Sequence, residues 1–184
     1  LELPLRLAPR LLLRQQPRTA LLELAARLVE LLLPKVRGLQ QLLRGDLLFL
    51  EMSGCFWRYH APVGRLVHIG EVLEGSQRTS EICLEAQLAA ADAIKPGVTA
   101  DSVYQAWKRC IDKAGLDHYH RHHCGYLVGI GFPPSWSGSG IPRGLRKGSD
   151  MVLKEGMVFH LMSWLMRTGQ GDAFLSDTVV ITPD

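Results

Sequence analysis

Two long apolar stretches in the second half of the chain predict its central strands. Residues 125–136 form an apolar run that contains three glycines and includes Pro133-Pro134 near its end. Glycine within a strand often marks a place where a ligand or another backbone approaches closely. Residues 157–166 are apolar except for His160 and Ser163, which is typical of a strand buried on both faces.

The remaining pattern predicts strands, then two helices, then strands again. Short apolar runs bounded by turn residues predict further strands at residues 47–52, 57–60, 65–69 and 173–182. Helical spacing of apolar residues predicts helices over residues 76–94 and 99–115, with Thr99 as the N-cap and Gly115 as the stop of the second. We therefore expect an α+β sheet with the helices on one face.

Residues 1–44 differ from residues 45–184, and we divide the chain there. They repeat Leu and Arg with prolines between, and they contain no aromatic residue and no histidine. Charged residues interrupt the longest apolar stretch and the arginines are spread along the segment, so we expect neither a membrane span nor a secretory signal. We expect one amphipathic helix over residues 19–33. The biased composition suggests the hypothesis of an N-terminally incomplete chain or a shifted reading frame.

Composition and charge exclude several classes of protein. Of the 184 residues, 47% are hydrophobic and 21% are charged, which argues against a disordered chain. The net charge of +3 is small and the basic residues are scattered, so we expect no nucleic acid partner. The four cysteines form no Cys-x-x-Cys pair. We expect reduced thiols and a cytoplasmic location, with disulfides as the open alternative.

Glu51 and His160 are polar side chains in apolar strands, and each has two interpretations. A carboxylate at the end of a buried strand must be paired, hydrogen-bonded, protonated or used in chemistry. Glu51 could pair with Arg58 or Arg65, or it could act as a nucleophile or general base. His160 could be a hydrogen-bonded core histidine or a catalytic one.

A dense group of histidines and one cysteine precedes the glycine-rich stretch. Its members are His118, His120, His122, His123 and Cys124. The group lacks a second ligand cluster at a suitable spacing, so we do not expect a structural zinc site. We expect one or two of the histidines to face a pocket and the others to be solvated.

Five segments, taken in order, resemble the pita-bread domain of methionine aminopeptidases, Xaa-Pro aminopeptidases, prolidases and creatinases. The segments are residues 46–54, 59–65, 125–136, 155–160 and 175–182. The resemblance implies that residues 45–184 form the C-terminal part of such a domain, an antiparallel sheet with helices on one face.

The metallopeptidases of this family bind two metal ions through two aspartates, one histidine and two glutamates. The resemblance places Glu51, Pro62, Tyr126, His160 and Ser176 at these five positions. A proline side chain cannot bind a metal, and serine and tyrosine are poor ligands here. The resemblance therefore implies a site with no metal and no other cofactor.

Within this family, residues 49–55, 58–62 and 131–136 resemble the metal-free ectoine hydrolases, which open a cyclic amidine. This similarity implies a small-molecule substrate and hydrolysis of a non-peptide C–N bond, with Glu51 as the nucleophile or as the base that activates water. His160 would shuttle a proton to the leaving nitrogen, and Tyr126 would donate a hydrogen bond to the developing charge. The predicted substrate-binding residues are Arg58, Tyr59, His60, Phe132 and Trp136.

Two other functions stay open. The first is a metal-dependent Xaa-Pro aminopeptidase or dipeptidase. The second is an inactive fragment or a binding module of the same fold, because a complete member would carry a further half-domain before residue 45. We also expect such a half-sheet to expose an edge and an apolar face, which predicts a homodimer.

Overall fold

The computed structural model describes residues 44–72, 74–132, 135–137 and 142–183. The predicted helix over residues 19–33 and the Pro133-Pro134 pair lie outside the described residues. Neither helix in the described part of the chain combines the length and the hydropathy of a membrane-spanning segment.

The described residues form one five-stranded antiparallel sheet and two α-helices. In chain order the elements are β1 (Leu47–Phe56), β2 (Tyr59–His68), α1 (Ser76–Ala93), α2 (Ala100–Lys113), β3 (Gly125–Leu127), β4 (Val158–Leu165) and β5 (Ala173–Val180). The strand order across the sheet is β1-β2-β5-β4-β3. The predicted α+β class, with antiparallel strands and two helices between them in sequence, is confirmed.

The second helix begins and ends where its sequence predicts. The Thr99 hydroxyl accepts a hydrogen bond from the Ser102 N–H at 3.3 Å, as an N-cap does. Gly115 follows the helix with a φ of 80°, a left-handed conformation that favours glycine. Trp107 and Ile111, on the apolar face of this helix, have no exposed surface.

Strand β4 has one face against the helices and the other against the candidate site. The Trp107 indole N–H donates to the Ser163 hydroxyl at 3.0 Å, and the Gln87 amide donates to the Leu161 carbonyl at 3.1 Å. Because side chains alternate along a strand, His160 and Met162 lie on the opposite face. The prediction of a strand buried on both faces is confirmed.

The first two strands are longer than the sequence predicts. They pair along ten residues each, from Leu47 opposite His68 to Phe56 opposite Tyr59, with no break between the predicted strands at 57–60 and 65–69. The connecting residues Trp57 and Arg58 both have positive φ, 51° and 65°. Two-residue turns of this kind usually contain Asn or Gly, so the sequence carries no signal for this one.

Among the described residues of the glycine-rich stretch, only the first three form a strand, so the predicted strand is correct in position and too long. After β3 the chain leaves β4 and runs beside the start of β2. The His60 N–H donates to the Gly129 carbonyl at 3.1 Å, and the Gly131 N–H donates to the Arg58 carbonyl at 2.9 Å. Pairing between segments so far apart in sequence has no local signature.

Candidate active site

A polar cluster lies on the sheet face opposite the helices and draws one residue from each of four strands. Its members are Glu51 of β1, Tyr126 of β3, His160 of β4 and Ser176 of β5. His160 is the centre of the cluster. Its Nδ1 lies 2.9 Å from the Tyr126 hydroxyl, and its Nε2 lies 2.7 Å from the Ser176 hydroxyl and 3.9 Å from Oε1 of Glu51.

Two glycines allow these four side chains to come together. Gly64 stands between Glu51 and Ser176 in the strand register, and a Cβ at Gly64 would come within 2.8 Å of the Ser176 hydroxyl. Gly125 precedes Tyr126, and a Cβ there would come within 2.7 Å of the His160 carbonyl. Both positions therefore require glycine for close packing rather than for a turn.

Burial makes His160 a neutral imidazole at pH 7. Its side chain is 0% exposed, and burial, with a smaller effect of His123, lowers its pKa to about 4. The Glu51 side chain is 25% exposed, and burial raises its pKa above the ordinary value. At neutral pH the Glu51 carboxyl group therefore lies beside a neutral His160 ring, and the two residues do not form an ion pair.

Tyr126 is held as a protonated phenol between two rings. The Trp136 indole N–H donates a hydrogen bond to the Tyr126 hydroxyl at 2.8 Å. Burial raises the Tyr126 pKa and the Glu51 charge raises it further, while the Trp136 hydrogen bond partly offsets these effects. A phenol whose oxygen accepts from Trp136 keeps its own proton available for His160 or for a ligand.

The interpretation in which Glu51 pairs with an arginine is not supported. Arg65 Nη2 bonds Asp177 Oδ1 at 2.8 Å, and its Nη1 bonds the Ser176 carbonyl at 2.6 Å. Arg58 instead places its guanidinium 5.1 Å from the Phe132 ring centroid. Within the described part of the chain, the one ion-pair contact of Glu51 is with His160.

A cavity of about 470 Å³ borders the cluster through Tyr126 and Trp136. Its lining residues are His122, His123, Tyr126, Ser135, Trp136, Ser137, Pro142, Gly144 and Arg146. As the sequence predicts, some members of the histidine group face a pocket, while His118 and His120 are exposed. Arg146 carries no sequence signal for this position, because it lies twenty residues after Tyr126 and is joined to it only by the fold.

The predicted substrate-binding residues fall into two groups. Trp136 lines the cavity. Arg58, Tyr59, His60 and Phe132 meet at the β1–β2 turn and are not among its lining residues. His60 is 8% exposed, and its Nε2 lies 3.2 Å from the Gly131 carbonyl, so it packs between strands. For these four residues, substrate binding stays a prediction.

The residues present do not fit the two-metal centre of metallopeptidases. The described residues contain no group of three or more His, Cys, Asp or Glu side chains that could hold a metal ion. Of the five positions that the resemblance assigns, Pro62 offers only its carbonyl, which accepts from the Thr178 hydroxyl at 2.7 Å. His160 already uses both ring nitrogens in hydrogen bonds. Of these five residues, Glu51 alone remains as a good metal ligand.

Comparison with known proteins places these observations in a family. The profile of metallopeptidase family M24 matches residues 30–183. The ectoine hydrolase of Halomonas elongata is 31% identical over 138 residues, which cover 75% of this chain and 34% of that protein. The Xaa-Pro dipeptidase of Pyrococcus furiosus is 32% identical over 139 residues, which cover 76% of this chain and 38% of that protein. The chain thus spans about a third of the length of these relatives.

Solved structures show the same relationship at the level of the fold. The prolidase from Pyrococcus furiosus superposes with a TM-score of 0.65 at 29% identity, covering 77% of this chain and 40% of that one. The dipeptidase PepE from Mycobacterium ulcerans superposes with a TM-score of 0.65 at 27% identity, covering 78% and 37%. The predicted fold, the C-terminal portion of a pita-bread domain, is confirmed. The matching profile and these likenesses together show that the chain belongs to metallopeptidase family M24.

Proposed function

We propose that this M24 hydrolase opens a C–N bond of a small cyclic amidine without a metal ion, in the manner of ectoine hydrolases. One observation carries the proposal. Glu51 has no arginine partner among the described residues and lies 3.9 Å from a buried neutral histidine, where metallopeptidases hold metal ligands. The similarity to an ectoine hydrolase at 31% identity supports the choice of substrate class.

Glu51 supplies the reactive carboxylate in this proposal. An amidinium is a cation, so a partly buried carboxylate both binds it and faces its electrophilic carbon. The carboxylate either attacks that carbon or takes a proton from the water that attacks it. On either route one C–N bond breaks and the departing nitrogen gains a proton. Where Glu51 attacks directly, water then hydrolyses the bond between Glu51 and the substrate carbon, so both routes consume one water and give an amide and an amine.

His160 acts through Tyr126 in this proposal. The sequence suggests direct proton delivery by His160, but its side chain has no exposed surface and both ring nitrogens are engaged. Tyr126 lies between His160 and the cavity, so its hydroxyl is the group that reaches a ligand. We therefore assign Tyr126 as the donor to developing charge and His160 as a positioning residue that orients the phenol.

A metal-dependent Xaa-Pro dipeptidase is the second candidate, and it rests on the 32% identity to the Pyrococcus furiosus enzyme. The residues at the family's metal-ligand positions argue against it, since Pro62, Tyr126 and Ser176 replace three expected metal ligands. A non-catalytic binding module of the same fold is the third candidate, because Pro62, Tyr126 and Ser176 stand at three of the family's metal-ligand positions.

Proton NMR of the purified protein with ectoine, with and without a chelator, tests the proposal. We expect the acetyl signal of the opened product in both samples at the same rate. Loss of turnover with chelator would replace the proposal with metallopeptidase-like chemistry. No turnover from a protein with a cooperative melt would contradict the hydrolase assignment and favour a binding module.

A further inference from the structure

The turn between β1 and β2 carries an exposed apolar patch that lies outside the cavity beside Tyr126. We call this patch the apolar tip, and its members are large exposed side chains: Phe56, Trp57, Tyr59, Ile130 and Phe132. Trp57, at the turn itself, is 84% exposed. Since aromatic side chains present about 150–250 Å² each, the tip offers on the order of 600 Å² of apolar surface. A contiguous patch of that size on a protein surface usually marks an interaction site.

Backbone pairing holds the apolar tip together. Phe56 stands opposite Tyr59 in the register of β1 and β2, and the rings of Phe56 and Trp57 have their centroids 6.1 Å apart. The second segment of the tip is joined to the first by a bridge between Tyr59 and Ile130. The apolar tip is therefore one surface built from two chain segments, and its members are not scattered.

The apolar tip protrudes from the sheet in a strained turn. Every residue from 54 to 59 is exposed. Trp57 and Arg58 have φ values of 51° and 65°, in the left-handed region that is unfavourable for residues with a side chain. Neither residue is buried in the described chain, so burial does not offset this strain. A strained turn that exposes a tryptophan suggests a contact outside the chain.

The charge at the apolar tip is positive. The Arg58 guanidinium lies beside the Phe132 ring and forms no ion pair with another described residue. Residues 52–63 and 125–132 contain no Asp or Glu. A two-fold contact between two copies would bring the two Arg58 side chains together with no carboxylate to pair with them. The charge therefore disfavours a second copy and favours an anionic partner.

We propose that the apolar tip is a membrane-surface contact, in which Phe56 and Trp57 enter the interfacial layer of a bilayer and Arg58 binds anionic lipid headgroups. Tryptophan and tyrosine are favoured in this layer because one end of each side chain is apolar and the other is polar. A protruding turn reaches the layer without a groove, whereas a folded protein partner needs a complementary surface. The contact is peripheral and does not rest on the proposed function.

Vesicle co-sedimentation tests this contact. The protein is mixed with vesicles of phosphatidylcholine alone and with vesicles of an equal mixture of phosphatidylcholine and phosphatidylglycerol. We expect saturable binding to the mixed vesicles that weakens as salt is added, because salt screens Arg58 from the headgroups. Binding to phosphatidylcholine alone should be at least about fivefold weaker, the effect of one arginine near an anionic surface.

Two variants that remove an aromatic ring test the apolar part of the contact. Trp57→Gly removes the indole, and glycine suits the positive φ, so the turn is retained. It should weaken binding to the mixed vesicles at least about tenfold. Phe56→Ser repeats the test within β1 and should act in the same direction. Val152→Ser, at an exposed apolar side chain beside the start of α2, is the control and should change binding less than about twofold.

Two arginine variants separate the contact from attraction by net charge. Arg58→Gln and Arg109→Gln each remove one charge from an exposed arginine, and Arg109 lies on α2. Arg58→Gln should weaken binding to the mixed vesicles about fivefold, and Arg109→Gln less than about twofold. Equal losses in the two variants would show binding by net charge and would overturn the proposal.

The remaining outcomes concern other occupants of the apolar tip. Wild-type protein that does not bind the mixed vesicles, or Trp57→Gly that binds as the wild type does, would overturn the membrane contact. Sedimentation equilibrium without lipid examines a second copy. A dimer that Trp57→Gly converts to a monomer would assign the apolar tip to self-association and would also overturn the membrane contact.

Discussion

Nε2 of His160 lies 3.9 Å from Oε1 of Glu51, yet the two residues do not form an ion pair at neutral pH. Burial lowers the pKa of His160 to about 4 and raises the pKa of Glu51, so burial disfavours charge on both groups. The ring is held instead by the Tyr126 and Ser176 hydroxyls. Among the described residues, Glu51 therefore has a carboxyl group with no cationic partner, which is what a reaction with a cationic substrate requires.

Replacing Glu51 with Gln should abolish turnover of a cyclic amidine and leave the fold intact. Glutamine keeps the shape but cannot attack carbon or accept a proton from water. Product formation by NMR and a thermal melt give the two readouts. Glu155→Gln, at an exposed turn, is the matched control and should keep full activity. Activity retained in Glu51→Gln would remove Glu51 from the mechanism.

The same variant should also change how stability depends on pH. Because the folded-state pKa of Glu51 is raised, its contribution to stability is present below the unfolded pKa and is lost as pH rises through the folded pKa. Glu51→Gln should therefore gain stability relative to wild type as pH rises from the ordinary glutamate pKa of 4.5 through the raised pKa of the folded state. Urea unfolding at several pH values measures this difference, and a difference that stays constant as pH rises would contradict the raised pKa.

His160 should make the protein less stable in mild acid. Its folded pKa of about 4 lies below the ordinary 6.5, so the neutral form is favoured in the folded state. Stability is then lost as pH falls from about 6.5 towards 4, by at most on the order of 3 kcal/mol. His160→Gln should flatten this loss, although the share of His123, with a similar pKa, remains. Exposed His118→Gln should keep the wild-type slope, and an unchanged slope in His160→Gln would refute the assignment.

Removing the Tyr126 hydroxyl should cost more stability than removing another tyrosine hydroxyl. Tyr126→Phe leaves the Trp136 indole N–H and His160 Nδ1 without their partner. We expect a loss of about 1–3 kcal/mol in the free energy of unfolding, measured by urea denaturation. Tyr59→Phe, at a side chain 42% exposed, should change it by less than about 0.5 kcal/mol. Equal effects of the two variants would show that the network contributes little.

A methyl group at Gly64 should disturb the polar cluster at Ser176. A Cβ there would collide with the Phe174 ring and come within 2.8 Å of the Ser176 hydroxyl. Gly64→Ala should destabilise the protein by about 1–3 kcal/mol, because the neighbours are packed on the sheet. Gly54→Ala, in β1 with no atom within 4 Å, is the matched control and should be neutral. A neutral Gly64→Ala would mean that β5 can move away.

The elements with local signals were predictable from the sequence. The N-cap at Thr99 and the stop at Gly115 bound α2 because capping depends on neighbouring residues alone. The β1–β2 turn was missed because Trp57 and Arg58 adopt positive φ without Gly or Asn. The sequence predicts a longer strand than β3, because residues 129–131 pair with the start of β2 and no local pattern encodes that contact.

The sequence by itself determined which chemistry is available: a carboxylate at Glu51, a phenol at Tyr126 and an imidazole at His160, within segments of a recognisable domain. Only the tertiary structure decided that Arg65 pairs with Asp177 and that Arg146 joins the cavity beside Tyr126. The physical reason is that the protonation state of a side chain and its hydrogen-bond or ion-pair partners depend on burial and on residues far along the chain. Strand pairing determines the burial and the neighbours, because it brings together residues that are distant in the sequence.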